Sequence, residues 1–165
     1  MVFTNAALHL TALVCLLLSP AWADAVVPKK PSAEFEGWWR DGKAELDGYR
    51  ITVQRYGEPR NGQAVAIFVT EPFSASRRVK VDDATTQPDD TLDVLKLNLV
   101  RDFQTGVYDY NTMLSYFVST SGFAPLKASF TSAEWCGHVY EELIFKPGAI
   151  DQRLASYFDH ESVEQ

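Results

Sequence analysis

The chain has 165 residues, 46% of them apolar and 22% charged, with a net charge of −7. That is the length and mix of one globular domain. The negative balance disfavours binding to a nucleic-acid phosphate backbone and docking on anionic lipid headgroups.

Met1 to Ala23 contains no Asp, Glu, Lys or Arg. Ala6 to Leu18 is mostly apolar, Pro20 follows, and Ala21-Trp22-Ala23 supplies a small-x-small site. This is the anatomy of a secretory signal peptide. It predicts export to the periplasm or beyond, with residues 1–23 removed. The apolar run is shorter than the roughly 20 residues a bilayer span needs, so membrane contact is expected only through an uncleaved leader. Cys15 would leave with it. Cys136 is then the sole cysteine, and a lone cysteine forms no internal disulfide.

Residues 24–33 read as an extended linker, since Pro28 and Pro31 oppose a helix. Ser32 is placed to cap a short helix from Ala33 to Arg40, with Glu34 and Glu36 near its positive end and Gly42 past its stop. A single β-rich domain is expected over 34–165.

Strand spacing begins at Lys43 and runs through Ala44, Leu46, Tyr49, Ile51 and Val53, with Asp47-Gly48 and Arg60-Asn61-Gly62 as turn signals. The continuous apolar run Ala64–Val69 reads as a central strand covered on both faces, ended by Pro72. Ser74 to Asp90 is polar, with Arg77, Arg78 and Lys80 set against Asp82, Asp83, Asp89 and Asp90. A solvated excursion with local charge pairing is expected there. Leu95, Leu97 and Leu99 alternate with Lys96 and Asn98, the pattern of a half-buried strand.

Val107 to Val118 is rich in aromatic and β-branched residues, and Ser119 to Gly122 turns the chain. Leu126, Ala128 and Phe130 alternate with polar residues, and a further segment runs through Tyr140 to Phe145. Lys146-Pro147-Gly148 breaks it, and Leu154 to Phe158 is a last strand. Strands about ten residues apart, with short turns and hardly a helix between them, predict a mainly β (β-rich α+β) fold. The expected form is an antiparallel curved sheet or half-barrel with a short N-terminal helix.

The chemistry centres on Glu134 to Tyr140, E-W-C-G-H-V-Y. W-C-G-H opens the active-site motif of disulfide isomerases, but Val139 stands where the resolving cysteine belongs, so thiol–disulfide exchange is not expected. Read as a strand, the segment puts Glu134, Cys136 and His138 on one face. A carboxylate, a thiol and an imidazole together are candidates for a nucleophile with its base. Residues two apart on a strand sit about 7 Å apart, too far for a direct bond. The packing reading therefore ranks first, with Cys136 and Trp135 in the core. Tyr108, Tyr110, Tyr116 and Trp135 are candidates to line a ligand groove, or else form cross-strand pairs. There is no Gly-rich phosphate loop, H-E-x-x-H or G-x-S-x-G. No cofactor and no metal site are expected, and Asp159-His160-Glu161 reads as a polar tail.

The order W-x-D-G-K-A-E-L-D-G-Y, R-Y-G-E-x-R-x-G-x-A-V-x-I-F-V-T-E-P-F-S, V-L-K-L-N, T-G-x-Y-x-Y, E-W-C-G-H-V-Y and S-Y-F runs from Trp39 to Phe158, in a match that extends to about Ser162. It resembles a family of exported, mostly uncharacterised bacterial proteins, some of which carry the label septum formation inhibitor Maf. The resemblance implies longer relatives, and so a chain that is C-terminally shortened. Maf proteins themselves resemble nucleotide pyrophosphatases, which begin with a strand leading into S-x-R-R. The double arginine here, in Ser74–Arg78, lies mid-chain without that β-α-β context. Three functions follow, in order. The first is a non-enzymatic binding or structural module for an apolar ligand or protein partner. The second is a Cys136/His138 hydrolase or transferase, and the third a Maf-like pyrophosphatase.

Overall fold

A computed structural model describes residues 31–161 and 163–164; the predicted leader and most of the predicted linker lie outside them. A helix, α1 (Ala33–Trp39), is followed by strands β1 (Glu45–Arg55), β2 (Glu58–Ser74), β3 (Thr91–Thr105) and β4 (Tyr108–Ser119). Then come β5 (Pro125–Glu134), β6 (Gly137–Lys146), β7 (Ala149–Ser156) and the two-residue β8 (Val163–Glu164). The strands form one antiparallel meander in sequence order. The sheet is not closed into a barrel. Among the described residues no helix is long and apolar enough to cross a membrane, which says nothing of strands.

The helix forms where the sequence places it. The Ser32 hydroxyl accepts from the Phe35 N–H at 3.1 Å, and Glu34 and Glu36 lie in the first turn. Two turn expectations fail. Asp47-Gly48 lies inside β1, and Arg60-Asn61-Gly62 lies inside β2. The β1–β2 reversal is made instead by Tyr56 and Gly57, at φ 54° and 77°. Two consecutive positive φ angles give a type I′ hairpin, whose twist suits the flanking strands. Pro72 does not end β2, which continues to Ser74. The last long strand starts at Ala149, earlier than the apolar pattern implies, because Pro147-Gly148 is a tight reversal that pairs Lys146 with Ala149.

Register fixes two faces. Leu99 stands between Ala66 and Leu114, and Arg101 between Ala64 and Thr112. Phe103 stands between Gly62 and Tyr110, and Tyr110 faces Glu134. These residues therefore share one face. On that face Arg55 of β1 reaches Glu134 of β5 at 3.2 Å. Four strand steps separate β1 from β5, about 19 Å in a flat sheet, more than the two side chains can span. The sheet is thus curled, and this face is concave.

One device for the curl is Gly62. A Cβ there would lie 2.3 Å from the Asp102 carbonyl oxygen and 2.7 Å from the Phe103 Cβ. A strand glycine of this kind lets neighbouring backbone approach closely at a bend.

The two faces are covered unequally. On the convex face the 75–90 excursion folds back, with the Val81 N–H donating to the Pro72 carbonyl at 2.9 Å. Phe73, Val81 and Val94 are buried. This excursion is braced chiefly by hydrogen bonds, with Asp90 accepting from the hydroxyls of Ser74 and Ser76 and Arg77 donating to Gln87, while the charge of Arg77 adds a smaller attraction for Asp90. On the concave face α1 caps one end only. Trp39 packs on Phe68 with ring centroids 5.9 Å apart, and its carbonyl accepts from the Thr70 hydroxyl. Beyond the helix Leu97, Leu99, Leu114, Phe130 and Leu143 remain half-buried. The β2 run is also not covered on both faces, since Ala64 and Ala66 are buried while Val65 is 37% exposed. A sheet face normally needs a second layer; among the described residues only α1 supplies one here, and beyond it the concave face holds buried Phe103, Tyr110 and Ala128 beside the half-buried side chains just named.

Candidate functional site

At the end of the sheet opposite α1, the concave face forms a groove of about 340 Å³. Val53, Phe103, Phe130 and Phe158 give it apolar walls, and Arg55, Arg101, Thr112 and Glu134 supply polar groups. A small apolar cleft with a few convergent polar groups is the usual form of a small-molecule site.

The polar groups are held in place from several strands. Glu134 is buried at 6% exposure, and its carboxylate accepts from Arg55. The Arg55 guanidinium lies 4.8 Å from the Tyr56 ring centroid and 5.1 Å from that of Tyr110. The Tyr56 and Tyr110 hydroxyls meet at 3.0 Å, and this bond, followed by burial, pushes the Tyr110 phenol above its ordinary range. Phe103 stacks on Tyr110 at 5.0 Å between ring centroids. Arg101 donates from Nε to the Thr112 hydroxyl at 3.1 Å.

The candidates from the sequence divide. Tyr110 lines the groove and Tyr116 shares its face further along, edge-on to Phe145 at 6.2 Å. Tyr108 and Trp135 do not line the groove. They meet edge-on at 5.7 Å on the exposed rim. Trp135 is 65% exposed, so the expectation of a core tryptophan is corrected.

The W-C-G-H segment is likewise not a continuous strand. Trp135 and Cys136 are the two-residue loop joining β5 to β6, because Glu134 pairs with Gly137 across the hairpin. Cys136 is therefore exposed, not packed. The same register pairs His138 with Ala133, so Glu134 and His138 point to opposite faces. The turn replaces the alternation that would have aligned the three side chains, and Cys136 and His138 share no hydrogen bond among the described residues. A Cβ at Gly137 would lie 2.4 Å from the exposed Tyr157 ring, which would have to move aside.

No group of three or more potential metal ligands occurs among the described residues. In Ser74–Arg78, Asp90 already receives the Ser74 and Ser76 hydroxyls and the Ser76 N–H. A carboxylate thus sits where a phosphate loop would present its donors.

Arg55, Arg101 and Phe103 escaped the sequence reading, although a signal existed. In Leu95, Leu97, Leu99, Arg101, Phe103 the arginine falls in the apolar phase of the alternation, as does Arg55 after Ile51 and Val53. A charge in that phase points at the face the leucines occupy. No family model matches the chain, and no curated protein or solved structure is significantly similar to it.

Proposed function

We propose that this protein is an exported, non-enzymatic binding module that takes an apolar ligand into the concave face of its open sheet. The observation that carries this reading is the half-buried apolar wall of β3, β4 and β5 beyond the reach of α1. Burying that wall against a ligand is favourable by about 25 cal/mol per Å². The exposed, unpaired position of Cys136 and the divergence of Glu134 from His138 supply no nucleophile–base pair to favour the hydrolase reading. Native mass spectrometry of the full chain, purified from its own compartment and then mixed with dodecanol, tests the proposal. The expected result is an apolar adduct, native or added, that Leu99→Trp weakens by filling the face. A chain that is ligand-free as isolated and takes up no dodecanol overturns it.

A second reading, docking of a protein partner, is favoured by a different observation. Three hairpin loops at the groove end carry Tyr56, Val107 and Trp135, exposed by 68%, 72% and 65%. Scattered exposed apolar residues are ordinary, but a cluster marks an interaction surface. A photo-crosslinker attached to Cys136 beside Trp135 is expected to capture that partner in cells, and its absence from repeated captures would remove this reading.

A further inference from the structure

Placing an arginine on an apolar face costs desolvation energy, so inward guanidinium groups are normally paired with acids. Two of the three concave-face arginines are. Arg55 has Glu134, and Arg60 has Glu58. Arg101 has no ion pair among the described residues, and its one hydrogen bond runs from Nε to Thr112. The two acids at the groove are already engaged: Glu134 by Arg55, and Glu161 by the Ser156 hydroxyl at 2.7 Å. With Nε tied, the terminal nitrogens of Arg101 remain as a parallel pair of donors, the geometry that matches a carboxylate. Phe103, Phe130 and Phe158 line the same groove as that charge.

Resting on the apolar-ligand reading above, we propose that the groove is a site for a single-chain carboxylate amphiphile whose head is held by Arg101. Charge complementarity selects the head. A carboxylate matches the two free terminal donors of Arg101, whereas a phosphate dianion would bring a second negative charge beside Glu161, whose own charge has no basic partner among the described residues. The size of the groove selects the tail. At about 340 Å³ it sits at the small end of ligand cavities and suits one alkyl chain rather than two.

Calorimetric titration of the full chain with dodecanoate, dodecanol and dodecyl phosphate, each below its micelle concentration, tests this. Dodecanoate is expected to bind at least about tenfold more tightly than dodecanol, with dodecyl phosphate weaker than dodecanoate. Arg101→Met should erase the carboxylate preference, bringing dodecanoate down to the affinity of dodecanol. Arg101→Lys should keep part of the preference, and Thr112→Val should reduce it by releasing Nε. Equal affinity for dodecanoate and dodecanol, or a preference that survives Arg101→Met, overturns the proposal while leaving the apolar-ligand reading in place. Tighter binding of the phosphate overturns the choice of head. Failure to bind any of the three removes both readings.

Discussion

Arg55 and Glu134 form an ion pair at 3.2 Å although β2, β3 and β4 lie between their strands. The pair spans the mouth of the curled sheet. Its partners are buried unequally, with the Glu134 side chain 4% exposed and that of Arg55 40% exposed. The two deletions should therefore differ. With Glu134→Gln, Arg55 can turn to water, and the loss is expected to be about 1 kcal/mol. With Arg55→Met, a buried carboxylate loses its counter-charge and both tyrosine rings lose their cation, and the loss should rise to about 2–3 kcal/mol. Urea denaturation of both variants checks the order; a larger loss for Glu134→Gln would contradict it.

Gly62 and Gly137 offer a second contrast. At Gly62 the obstruction to a side chain is Asp102 backbone, while at Gly137 it is Tyr157, a residue 73% exposed. Backbone locked in a sheet cannot yield as an exposed ring can. Gly62→Ala is expected to cost about 2–3 kcal/mol, and Gly137→Ala about 1 kcal/mol. Comparison of denaturation midpoints at constant slope decides the matter.

The Ser74 and Ser76 hydroxyls hold the Asp90 carboxyl below its ordinary value of 3.8. A depressed folded pKa contributes stability that is present above the unfolded value and is lost as pH falls through the folded one. Asp90→Ala should therefore destabilise the protein at pH 7. The gap from the wild type should narrow as pH drops below about 4. Parallel melts at pH 7 and in acid provide the measurement, and a gap that does not change with pH would count against a charge-dependent role.

Cys136 occupies an exposed hairpin loop. It should react with a maleimide in the native state as fast as a free thiol in a peptide. Cys136→Ser should shift stability by no more than about 0.5 kcal/mol and leave ligand binding unaltered. A large loss of function in that variant would revive the thiol chemistry considered from the sequence.

The strands and the helix were legible in the sequence because their signals are local. Leu95, Leu97 and Leu99 alternate with polar neighbours, Ser32 stands one position before the helix, and Pro147-Gly148 interrupts an apolar run. The antiparallel order followed from short connections. The turn at Tyr56-Gly57 was missed because Asn61-Gly62 carries the stronger dipeptide signal, while Gly62 serves close backbone approach inside β2 instead. The W-C-G-H segment was misplaced by one feature, a two-residue reversal that breaks alternation and turns Glu134 and His138 to opposite faces.

The sequence by itself determined which residues alternate, and hence that Arg55, Arg101 and Glu134 fall in the apolar phase of their strands. Only the tertiary structure decided that Glu134 meets Arg55 while Arg101 keeps no acidic partner among the described residues. Pairing across several strands depends on how far the sheet curls, and curl is set by the summed twist and close contacts of many residues rather than by any local pattern.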